Sequence, residues 1–243
     1  MEIPRLLFLI KIYGKVTDFN GNPMERVEIV VLSREFKAIY QTFSDADGKY
    51  SLDISRGNYI ALWACKDYAI KNLEYWAWNI PAYQDLEINP RINGLEVYAI
   101  NAWIPQGGLP SMRIYFRPMS LKRAKEFSQR LGIGFPLSPD ELRNLSYNFS
   151  IIDIAPNLTK GDIEVLIDDQ TVEVLEVNKV REAAGGNRSI YGYLIQTTIP
   201  TNLKNSDYSR IRIIVSGRET GEKGEGCLFY RRIWEMDNLG VEQ

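Results

Sequence analysis

The chain contains no histidine. Serine and cysteine nucleophiles of the Ser–His–Asp and Cys–His kinds need an imidazole base, so both mechanisms are excluded within this chain. Zinc, iron and copper sites built on imidazole go with them. Cysteine is nearly as scarce. Cys65 and Cys227 stand far apart with no C-x-x-C spacing, and two thiols alone cannot make a structural zinc site. Each reads as a buried apolar side chain, and whether they pair is open from sequence. Long apolar runs are missing too. The run at 6–10 stops at Lys11, short of the ~7–15 residues of a signal-peptide core and the ~20 of a membrane-spanning helix. The sequence therefore predicts neither, and 6–16 reads as a first strand. Charge of one sign is also lacking: 29 Lys and Arg meet 31 Asp and Glu, for a net −2. No global field draws such a chain to nucleic acid or anionic lipid, and neither is expected as a partner. The compartment stays unassigned.

What is present is β-grammar. A chain of 243 residues, 45% hydrophobic and 12% aromatic, has the size of one large or two ordinary globular domains and a composition that favours strands. From 13 to 59, short apolar runs alternate with turns. Asp18-Phe19-Asn20-Gly21 and Asp45-Ala46-Asp47-Gly48 share the pattern D-x-[DN]-G. Asp and Asn side chains hydrogen-bond turn backbones, and Gly supplies the positive φ of a tight turn. A calcium reading fails on spacing: an EF-hand loop needs its Gly at the sixth position and a Glu at the twelfth, and neither turn has them.

These residues, G-x-V-x-D-x-x-G-x-P from Gly14, then Ser44-Asp45-Ala46-Asp47-Gly48-Lys49-Tyr50, then Gly57-Asn58-Tyr59, resemble the carboxypeptidase regulatory-like family. The resemblance covers about 10–103. It implies a transthyretin-like, seven-stranded sandwich and a non-catalytic accessory module of surface assemblies. It carries over no catalytic residue.

Further strands are expected at 59–65, 73–81, 85–88, 95–104 and 112–117. The stretch 95–117 fits either the end of a first sandwich or the start of a second. With the boundary set at the turn near 90–94, the domains are 1–93, a carboxypeptidase regulatory-like sandwich, and 94–243, a second, Ig-like sandwich. Ser120 can N-cap a helix from Leu121 to about Leu131, and Ser138-Pro139-Asp140-Glu141 is a capping box for a second short helix. Strand patterns return at 151–154, 162–167, 171–180, 190–199, 210–215 and 227–233, with 217–226 expected as a flexible hairpin tip. Its Lys is misplaced for a phosphate loop. The fold class is all-β: two sandwiches with a helical insertion near 120–147.

Three constellations are candidates for a site. Trp76 and Trp78 share one face of an extended segment, with Tyr75 and Trp63 nearby. Coplanar rings there would stack on sugars; filling a core or a seam between domains is the alternative. Arg113, Arg117, Lys122, Arg123 and Lys125 form a basic cluster for an acidic partner, or a solvated face. Asp153, Asp162, Glu164, Asp168 and Asp169 could supply a carboxylate pair for a hydrolase, or sit in turns and at strand edges. No catalytic residue, metal or cofactor is indicated. The expectation is a non-enzymatic interaction module of a surface, appendage or virion assembly, with protein partners or self-association. Glycan binding is the alternative, and a carboxylate hydrolase the remote one.

Overall fold

The computed structural model describes residues 9–132, 134–136, 151–184, 188–201, 203 and 207–232. Its strands are β1 (Leu9–Lys15), β2 (Glu28–Leu32), β3 (Ala38–Phe43), β4 (Lys49–Ser55), β5 (Gly57–Cys65), β6 (Tyr75–Ala82), β7 (Leu86–Glu87), β8 (Leu95–Trp103) and β9 (Met112–Ser120). After the helix α1 (Leu121–Arg130) come β10 (Ile151–Ile152), β11 (Ile163–Ile167), β12 (Gln170–Val172), β13 (Val174–Ala183), β14 (Ser189–Thr197), β15 (Ser209–Gly217) and β16 (Glu222–Tyr230). The fold is an all-β, multi-sheet sandwich, as expected.

One eight-stranded sheet, ordered β12-β11-β15-β16-β6-β5-β2-β3, runs through the whole molecule. A three-stranded sheet, β4-β1-β7, covers the half made of β6, β5, β2 and β3. A five-stranded sheet containing β8, β9 and β14 covers the other half. The two halves join where β16 runs parallel to β6, in the register Gly226↔Trp76, Cys227↔Ala77, Leu228↔Trp78.

The two covering sheets lie on opposite faces of the large one, because strand side chains alternate in direction. Along β16, Cys227 and Phe229 enter the first core beside Ile12, Ile29, Ile54 and Leu62. Leu228 and Tyr230 enter the second beside Val97, Phe116, Tyr193 and Ile213. Both faces of β16 are thus apolar, and its last seven residues, Gly224 to Tyr230, are all buried. Apart from Cys227 and Phe229, the buried residues of the first core run up to Ile92 and those of the second start at Leu95.

The expected hairpin tip is present but shorter, confined to 218–221. Most of 217–226 is strand: β15 continues to Gly217 and β16 begins at Glu222. Gly224 and Gly226 are not there for flexibility. A Cβ on Gly224 would lie 2.2 Å from the Leu95 carbonyl oxygen, and one on Gly226 2.3 Å from that of Val97. Strand β8 rests its backbone directly on β16, and only glycine admits that approach. The pattern at 171–180 likewise divides into β12 and β13 at Glu173, whose carbonyl accepts from Thr198 N.

Helix α1 begins as expected. Ser120 Oγ accepts from Arg123 N at 3.1 Å, and Leu121, Ala124, Phe127 and Ser128 are buried on one face. Glu222 adds a second cap, its Oε1 accepting from Lys122 N at 2.9 Å while its Oε2 accepts from the Ser120 hydroxyl. The second expected helix falls outside the described residues. Both D-x-[DN]-G segments are turns. Asp18 Oδ1 accepts from Asn20 N and Asn22 N, Asp45 Oδ1 from Asp47 N and Lys49 N, and Gly21 and Gly48 take φ of 86° and 76°.

Candidate functional site: the aromatic seam and its surroundings

The antiparallel register of β5 and β6 sets Trp63 opposite Trp76 and Ala61 opposite Trp78. These rings occupy the face of the large sheet that turns away from the first core, over Val30, Leu32 and Ala61. Trp76 and Trp78 stack on each other, with centroids 5.1 Å apart and planes 13° from parallel. Phe36 closes on Trp78 at 6.2 Å with a 60° tilt, and Trp78 also packs against the second core. Trp76 and Trp78 thus lie on one face of β6, and each ring spends a face on the other. Tyr75 is a correction. Period two sends it the opposite way, into the first core, where it is 3% exposed. Trp78 Nε1 is buried without a hydrogen-bond partner among the described residues.

Trp76 Nε1 is the opposite case, with two acceptors. It donates to Glu74 Oε2 at 3.1 Å and to Glu96 Oε1 at 3.0 Å. Glu96, on β8, is only 5% exposed. Burial first, and the neighbouring Glu74 carboxylate second, push its carboxyl well above the ordinary value, partly countered by the indole N–H. Burial also raises Glu74. Two acids in one low-dielectric space cannot both ionise cheaply. Tyr68 and the Cys65 thiol sense both acids and Tyr98 senses Glu96, and all three are themselves pushed up, chiefly by burial. The sequence reading missed this pair. Glu74 precedes β6 and Glu96 lies on β8, and no local pattern joins them.

The basic cluster separates into individually engaged groups. Arg117 forms a two-pronged ion pair with Glu182, its Nε 2.7 Å from Oε2. Arg123 binds Asp153 and Glu219, each at 2.8 Å. Arg113 donates to Ser111 Oγ and Lys125 to the Ile70 carbonyl, while Lys122 is exposed. Arg117 and Arg123 are thus paired with carboxylates of their own chain. The candidate acids are also dispersed. Asp162 caps the turn at Thr159 and pairs with Arg218, Asp168 accepts from Arg210 N, and Asp169 bridges Arg210 and Arg212. Asp153 lies between Arg123 and Lys179.

Behind them is a charge network at the join of the sheets. Glu225, 2% exposed, receives Arg91 Nε at 2.5 Å and Arg212 at 3.5 Å. A shallow cleft of about 610 Å³ opens beside it, with Tyr83, Asp169, Tyr208 and Arg210 among its walls. The cysteines are free and buried, and burial pushes each thiol up to about 12. Among the described residues no group of three or more His, Cys, Asp or Glu side chains could hold a metal ion, and no helix is long and apolar enough to cross a membrane.

No family description matches the sequence, and no curated protein matches it. Among solved structures, a DUF3823 family protein from Parabacteroides merdae aligns at 13% identity over 90% of this chain and 98% of its own, with a TM-score of 0.27. BcpA, the major pilin subunit of Bacillus cereus, aligns at 9% identity over 90% of this chain and 69% of its own, with a TM-score of 0.29. The major pilin SpaD from Corynebacterium diphtheriae aligns at 8% identity over 90% and 64%, with a TM-score of 0.26. Likenesses this distant carry no argument about what the chain does.

Proposed function

We propose that this chain is a non-enzymatic interaction module, a stiff β-body that holds binding surfaces at fixed positions within a larger protein assembly. The observation that carries the reading is the continuous eight-stranded sheet with a core on each of its opposite faces. Such a body cannot bend at the join without breaking the β16–β6 ladder and opening both cores. Stiffness of that kind suits a spacer or presenter. The three-on-four arrangement of the first seven strands fits the resemblance to carboxypeptidase regulatory-like modules, which are accessory domains. We keep the division at 93/94 as a proposal for where two ancestral sandwiches meet. The glycan alternative draws less support, since Trp76 and Trp78 face each other.

Cross-linking with mass spectrometry on the protein in its native setting tests the reading. Recurrent links from this chain to itself or to one fixed component are expected. A monodisperse monomer with no links to any component would remove it.

A further inference from the structure

Three of the described residues' exposed large hydrophobics gather at one place. Phe36, Ile39 and Phe43 are 58%, 44% and 56% exposed, and they lie on β3 or on the turn that leads into it. Among the described residues, strand β3 is an edge of the large sheet and pairs only with β2. Its six residues, Ala38-Ile39-Tyr40-Gln41-Thr42-Phe43, include no charge and no proline. Soluble proteins usually guard such edges, because unpaired backbone donors and acceptors recruit other strands.

The remaining edges are guarded. At the far end of the large sheet β12 has three residues, and β7 has two. Strand β13 carries Glu176, Lys179, Arg181 and Glu182, and β4 exposes Lys49 and Asp53. Strand β8 lies against β16 and β6. The one irregularity of β3 is a bulge at Ile39, where Val31 pairs with Tyr40 and Leu32 with Ala38; it leaves 40–43 regular.

Resting on the reading of the chain as an assembly module, we propose that two copies pair antiparallel through β3, about a two-fold axis at Gln41. The sequence is complementary to itself in that register. Gln41 stands opposite Gln41, Tyr40 opposite Thr42, and Ile39 opposite Phe43. At the ends Lys37 stands opposite Asp45. Both are exposed, and among the described residues neither has an ion-pair partner within its own chain, although Asp45 Oδ1 also accepts from the turn amides of Asp47 and Lys49. Each two-fold contact thus joins two apolar pairs along the strand and two pairs of opposite charge beyond its ends. A parallel pairing would set Lys37 against Lys37, and a one-residue slip would lose every match. An isologous contact of this kind closes on itself as a dimer.

Sedimentation equilibrium of the full chain, from micromolar to millimolar, tests the proposal. The wild type is expected to dimerise with concentration. Ile39→Glu and Phe43→Lys, both at exposed positions, are each expected to weaken the dimer about tenfold while leaving the thermal melt unchanged. Combined in one chain, the two substitutions create an ion pair at both ends of the ladder, and the dimer is expected to return. A wild type that stays monomeric overturns the proposal, as does a dimer indifferent to both single changes or a double variant weaker than either. A monomeric wild type that still cross-links to another component of its assembly removes this contact and leaves the module reading standing.

Discussion

Glu96 is the residue whose chemistry differs most from its surroundings. It is a carboxyl on a buried strand face, shared with Glu74 over one indole N–H. Its folded-state pKa lies above the ordinary value of 4.5, so the folded protein binds more protons than the unfolded chain above that pH. Stability from this group is therefore full below about 4.5 and declines as pH rises through the folded value. Glu96→Gln keeps an acceptor for Trp76 Nε1 and removes the charge. Thermal melts from acid to neutral pH are expected to show the variant gaining over the wild type as pH rises, with a flatter profile. A variant whose melting temperature tracks the wild type at every pH would show that the pair does not titrate in this range.

Gly226 makes a second prediction at the same scale. A methyl group there meets the Val97 carbonyl at 2.3 Å, and neither backbone can retreat without opening a ladder. Gly226→Ala should cost about 2 kcal/mol in denaturant unfolding. Gly57→Ala, where a Cβ would meet nothing within 4 Å, should be close to neutral. Equal losses would mean that β8 can shift.

At the scale of elements, what could be read in advance was what depends on neighbours in sequence. Alternation gave most strands to within a few residues. The D-x-[DN]-G turns and the Ser120 cap were legible because their hydrogen bonds close within four residues. The errors have a different origin. Gly224 and Gly226 looked like loop residues because the reason for them, β8, lies more than a hundred positions away. Tyr75 was grouped with Trp76 by proximity, although adjacent strand residues face opposite ways. The basic cluster looked free because its partners, Glu182, Asp153 and Glu219, come from β13, the segment after β10 and the β15–β16 turn. Helix α1 supplies the test at this scale. Ser120→Ala removes one cap acceptor and should cost about 1 kcal/mol. Glu222 still holds Lys122 N, so the helix should remain. If circular dichroism instead shows α1 lost, Glu222 is not a cap.

For the whole molecule, the decisive feature is that the two sandwiches do not merely touch. They share β16, whose neighbouring side chains belong to different cores. Its backbone is held by β15 on one side and β6 on the other. Losing either core removes one wall of the other, so the two should unfold together. A continuous sheet with a core on each face also makes the described body a single lever, which is what the proposed presentation of surfaces at fixed spacing requires.

Differential scanning calorimetry tests that most directly. If the shared sheet welds the sandwiches, one transition appears, with calorimetric and van't Hoff enthalpies equal. Two resolved transitions, or a calorimetric enthalpy well above the van't Hoff value, would mean that the halves melt apart and that the join at β16 and β6 bears no load.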